Sequence, residues 1–155
     1  MRFWDLFKSP PALAGAFALL LAQLLKVPFG YWRTREINWS LLLDSGGMPS
    51  SHSALISSVT SAIGFYVGWG SPLFALAFAL SIIVVYDAAG VRRQAGLQAA
   101  RINLIVREVI QTGKIPEKEW ETLRESIGHS PAEAFAGVLL GFVVAVVIRL
   151  IMPPA

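Results

Sequence analysis

The placement of charge constrains this chain more than any other feature. No Asp, Glu, Lys or Arg occurs in Ser9–Leu25, in Ser45–Tyr86 or in Ala134–Ile148. With 55% hydrophobic residues, 15% charged residues and a mean hydropathy of +0.59, the composition lies outside that of soluble domains. The chain reads as an integral membrane protein, an all-α bundle forming one domain over residues 1–155. The middle run must fold back at Gly68-Trp69-Gly70-Ser71-Pro72, so about four spanning helices are expected. They run from about Pro10 to Val27, after Pro49, from near Pro72 to Asp87, and after Ser130-Pro131, where Ser fits an N-cap and Pro the first helical position. The spans fall short of the roughly 20 residues that a bilayer core requires, so flanking cations must snorkel or partners must cover the ends. A homodimer is one such arrangement.

Beyond Gly90 the pattern changes. VRRQAGLQAARINLIVREVIQTGK mixes Arg92, Arg93, Arg101 and Arg107 with apolar residues at three- and four-residue steps, which predicts an amphipathic helix. PEKEWETLRESIG then reads as a short surface helix, with Pro116 in its first turn and Gly128 at its end. Cysteine is absent, which excludes disulfides, thiolate nucleophiles and thiolate metal sites. The net charge of +3 suits an anionic membrane surface or substrate. No basic run alternates with aromatic residues, so a nucleic-acid partner is not expected.

Four crossings place Lys26, Arg33, His52, Asp87, Arg92, Arg93 and His129 on one membrane face. Ten of the thirteen Lys and Arg lie there, which by the positive-inside rule turns that face to the cytoplasm of a bacterial or equivalent organellar membrane. Within the long uncharged run, GGMPSSHSA holds the one side chain that titrates near neutral pH, His52. Phosphate-ester chemistry needs donors for the phosphoryl oxygens, a nucleophile, and an acid for the leaving oxygen. Pro49 at the first turn of span two would leave the N–H groups of Ser50, Ser51 and His52 at a helix N-terminus, a natural anion site.

These residues resemble the type 2 phosphatidic acid phosphatases, whose site is shared with vanadium-dependent haloperoxidases, and in particular the divergent small-membrane-protein branch of that family. Lys26 and Arg33 have the spacing of the first motif, with Thr34 where the family has Pro. Pro49-Ser50-Ser51-His52 matches the second, with Ser51 in place of Gly. His129 and Glu133 keep the second half of the third, with Glu for Asp, and Leu123 stands where the family has Arg. The resemblance implies that His129 attacks phosphorus to form a phosphohistidine, that Glu133 orients its ring, and that His52 protonates the leaving oxygen. Lys26, Arg33, Ser50, Ser51 and either Arg92 or Arg93 would hold the phosphate, with Arg124 the lesser candidate for the missing cation. No metal or cofactor is implied. The substrate would be a membrane lipid phosphate or diphosphate, of prenyl diphosphate or phosphatidate type.

Plainer readings stand beside these. The cations also read as snorkelling side chains, His129 as a turn residue before an N-cap, Asp87 as the ion-pair partner of Arg92 or Arg93, and the serines at 53, 57, 58 and 61 as helix-packing residues. A protein that binds or moves anionic lipids without catalysis is the alternative function.

Overall fold

The computed structural model describes residues 8–44, 46–112, 121–125 and 127–154. Five helices carry the chain, with no strand among the described residues. Helix α1 spans Pro10–Thr34, α2 Ser51–Val67, α3 Pro72–Tyr86, α4 Arg92–Gln111 and α5 Pro131–Ile151, and a single turn of 3-10 helix covers Trp39–Leu42. The starts follow the sequence signals. Pro72 opens α3 behind a Ser71 hydroxyl that accepts the Phe74 N–H at 3.1 Å, and Pro131 opens α5 behind Ser130.

Three boundaries differ from expectation. Helix α1 does not stop near Val27 but continues through Pro28 for two more turns, because a proline in a membrane helix forfeits one backbone bond without ending the run. It ends where Arg35 turns left-handed (φ 62°) and returns its N–H to the Tyr31 carbonyl. Pro49 lies one residue before the cap of α2 rather than inside its first turn, and Ser50 is the N-cap. Finally, α3 does not end at Asp87. A π-helical turn over Asp87–Val91 joins it to α4, so residues 72–111 form one continuous helix. The change at Gly90 is one of composition and of hydrogen-bond register, and it does not end the helix.

The chain is an integral membrane helical bundle. Helix α1, the continuous α3–α4 helix and α5 are long and apolar enough to cross a bilayer. Helix α2 has 17 residues, at the lower limit of roughly 17–25 for a span, and lies against α1, α3 and α5. Its neighbours approach closely. Ala14, Ala18, Ala22 and Lys26 form a buried four-residue row on α1. On α5, a Cβ at Gly137 would collide with the Ser50 carbonyl oxygen and one at Gly141 with that of Ala54. Small residues at such seams allow the close packing that holds helices together in lipid. Polar bonds add to it: Ser57 Oγ donates to the Val138 carbonyl at 2.8 Å, and the Thr60 and Ser81 hydroxyls are 2.7 Å apart. Ser57 thereby takes the packing role.

The short surface helix expected at PEKEWETLRESIG does not extend over residues 121–125, which carry no regular structure. The backbone of Leu123 is bonded to the side chain of Asn103 instead of to its own chain. The remainder of that stretch, residues 116–120 and 126, lies outside the described residues.

Candidate active site

One end of the bundle gathers most of the polar residues singled out above. Lys26 is 1% exposed, and its Nζ donates to the Asp44 carbonyl at 2.6 Å. Seven residues are almost two helical turns, so Arg33 follows Lys26 on the same side of α1. Both line a cleft of 830 Å³, shared with Phe29, Trp32, Leu41, Met48, Ser130 and Glu133. The Lys-to-Arg spacing is therefore helical, and Arg33 sits in the last turn of α1, not in a connecting segment.

Ser50 and Ser51 are buried at the start of α2. The Ser50 N–H is not turned outward as expected. It donates to the Glu133 carbonyl at 3.0 Å, while its hydroxyl accepts the Ser53 N–H at 3.4 Å. The N–H groups of Ser51 and His52 occupy first-turn positions that have no partner within the helix. His52 is exposed beside them, and its ring centroid is 6.5 Å from that of His129, with the planes 59° apart. The charges that act on the His52 ring are those of Arg92, Lys26 and Asp87.

Arg92 donates from Nε to Asp87 at 2.5 Å, an ion pair in which both side chains remain partly exposed. This is the pairing expected for Asp87, and it leaves Arg92, rather than Arg93, as the arginine whose charge reaches His52. Arg93 is exposed, with its backbone against Gly128, and Arg124 is exposed in the irregular segment.

His129 is 2% exposed, and neither ring nitrogen has a hydrogen-bond partner among the described residues. Its Nδ1 lies 3.5 Å from a carboxylate oxygen of Glu133, too long for a well-formed hydrogen bond, so the contact is electrostatic. That oxygen accepts the Ser130 N–H at 2.9 Å, and the Ser130 hydroxyl accepts the Glu133 N–H at 3.3 Å: a capping box. Glu133 therefore fixes the start of α5 as well as facing His129. The Ser-x-x-Glu spacing carried that signal. Burial pushes the His129 pKa below the ordinary value of 6.5; the nearby Glu133 carboxylate opposes this, and the Lys26 and His52 charges add to it.

Residues of all three motifs thus meet at one end of one bundle, in the chain order Lys26 and Arg33, then Pro49 to His52, then His129 and Glu133. The family model for the Divergent PAP2 family matches residues 7–144. The chain belongs to that family. It is also similar to the "Uncharacterized membrane protein YuiD" of Bacillus subtilis (strain 168), at 38% identity over 152 residues that cover 93% of this chain and 96% of the relative. No solved structure matches it.

Proposed function

We propose that this membrane protein is a lipid phosphatase that hydrolyses a lipid phosphate or diphosphate through a phosphohistidine on His129. The observation that carries the reading is the buried His129 ring: neither nitrogen hydrogen-bonded among the described residues, Nδ1 facing Glu133, and a second histidine 6.5 Å away. With Nδ1 turned to the Glu133 carboxylate, Nε2 is the nitrogen left to act as nucleophile. Nε2 attacks phosphorus, the phosphorus–oxygen bond to the lipid breaks, and His52 gives its proton to the leaving oxygen. Water, deprotonated by His52, then releases phosphate from His129. Lys26, Arg33 and Arg92 would hold the phosphoryl charge, with the Ser51 and His52 N–H groups adding the N-terminal end of α2. Apolar Phe29, Trp32, Leu41 and Met48 line the same cleft as Lys26 and Arg33, which suits a headgroup attached to a hydrocarbon chain. The concentration of Lys and Arg at this end favours a cytoplasmic orientation.

Three observations favour the rival, a non-catalytic anionic-lipid binder. Position 123 holds Leu, Arg92 is already paired with Asp87, and Lys26 with the Asp44 carbonyl. Phosphate release by the purified protein, over prenyl diphosphates, phosphatidate and phosphatidylglycerophosphate, separates the two. Turnover that is blocked by vanadate and lost in His129→Ala supports the phosphatase. Lipid binding without release from any of these substrates leaves the binder.

A further inference from the structure

Helix α4 has an amphipathic sequence, yet its buried positions are not its large apolar ones. Leu97, Leu104 and Ile105 are exposed, whereas Gly96, Ala99 and Asn103 are buried. The face that packs is therefore made of two small residues and an amide. Residues 121–125 and 127–129 lie along it and connect it to the site.

Asn103 is 2% exposed and uses both ends of its amide. Its Oδ1 accepts the Leu123 N–H at 3.1 Å, and its Nδ2 donates to the Leu123 carbonyl at 2.9 Å and to the Glu125 carboxylate at 2.8 Å. Two turns back, a Cβ on Gly96 would stand 2.5 Å from the Ile127 carbonyl oxygen and 2.8 Å from that of Glu125. Further back, Gly128, at φ +91°, lies so close to the Arg92–Arg93 backbone that no side chain fits. The last contact is from the His129 N–H to the Ala88 carbonyl at 2.9 Å. Positions 103, 96, 92 and 88 are three or four residues apart or a sum of such steps, with buried Ala99 between the first two, so these contacts fall on one helical row. The π-helical turn serves the last of them. The Arg92 N–H bonds to Asp87 instead of Ala88, its partner in a regular α-helix, which releases the Ala88 carbonyl from Arg92.

We propose that Asn103 is a positioning residue for His129: by clamping Leu123 and Glu125 it sets the register of this strap along α4 and so holds the His129 ring opposite Glu133 and His52. The catalytic consequence rests on the phosphatase reading, but the positioning does not. His129 stands six positions on from Leu123, roughly 20 Å of extended chain, so Asn103 acts at a distance and touches no substrate.

The chain has two histidines, so NMR of ring-labelled histidine in the full-length protein in detergent gives two titrating signals, assigned with His52→Ala. The charged and titratable groups acting on His129 are Glu133 on α5, Lys26 on α1 and His52 on α2. The expected result is that Asn103→Ala and, independently, Gly96→Val move the His129 titration up towards the ordinary histidine value while leaving the His52 signal in place. If the lipid phosphatase reaction is present, kcat falls by roughly 10²-fold, the scale of a misplacement of about 1 Å, with KM changed less. An unmoved His129 signal in both variants would overturn the proposal. So would loss of both signals together, which would make Asn103 a residue of the fold alone. Absence of phosphate release in the wild type would count against the phosphatase and leave the ring measurement decisive for the strap.

Discussion

The two halves of this site are held by different physics. Lys26, Ser50, Ser51, His52 and Glu133 belong to the α1–α2–α5 bundle, where seams of alanine and glycine bring helices into backbone contact. Asp87, Ala88, Arg92 and the strap that ends in His129 belong to the α3–α4 helix, which joins the bundle mainly through α2 and fixes its partner by hydrogen bonds. Close packing gives the cations and the α2 N-terminus a rigid frame. A hydrogen-bonded strap instead delivers a single ring, and its placement can be disturbed without dismantling the frame.

Glycine substitutions on either side break this comparison most strongly. Gly137→Val drives a side chain into the Ser50 carbonyl, between two helices that cannot both give way. Overpacking of this kind costs about 1–3 kcal/mol or more, and the expected outcome is loss of folded, monodisperse protein in size-exclusion chromatography. Gly128→Ala, within the strap, clashes as closely with the Arg92–Arg93 backbone of the α3–α4 helix; the protein should remain folded and lose the proposed phosphatase activity.

Lys26→Met tests the frame alone. Methionine removes a charge from a buried site and fills its volume, so thermal stability in detergent should be retained. The rate of phosphate release should fall by roughly 10² to 10³, the usual effect of losing one preorganised donor.

The pH dependence sharpens the distinction further. His129 must be neutral to attack, and burial holds its pKa below 6.5. On the phosphatase reading the acid limb of activity should lie below pH 6.5, and in Glu133→Gln it should move lower still, because the influence that raises the pKa is gone. Stability follows the same sign. It is complete above about 6.5, where folded and unfolded rings are both neutral, and declines as pH falls towards the depressed folded value. Thermal midpoints across this window check it, and His129→Gln should flatten the curve.

Asp87→Asn should have the smallest effect. The Asp87–Arg92 pair is partly exposed on both sides, and such pairs contribute about 0–1 kcal/mol, so the thermal midpoint should hardly move.

Much of the bundle was legible because charge is so expensive in lipid that its absence marks each apolar helix. The helix ends were less so. Nothing in Pro28 says that α1 continues past it, and nothing in Asp87-Ala88-Ala89-Gly90-Val91 announces a π turn, since both are decided by neighbours. Within the site, the Lys26 to Arg33 spacing and Pro49 to His52 point to their positions because they are local to one helix or its start. The Ser50 N–H turned towards Glu133, and the double duty of Glu133, depend on α2 meeting α5. Asn103 stayed hidden for the same reason: it looks like one polar residue in an amphipathic helix until Leu123, twenty residues on, is placed against it.

The central claim is that the strap supplies the nucleophile and the bundle supplies the cradle. Rapid acid-free quenching of the full-length protein with a phosphorus-labelled lipid substrate, followed by peptide mapping, tests it most directly. The account predicts an acid-labile, base-stable phosphoryl group on the peptide containing His129, absent in His129→Ala. Label on Ser50, Ser51 or His52 instead, or turnover with no covalent phosphoryl group at all, would contradict it.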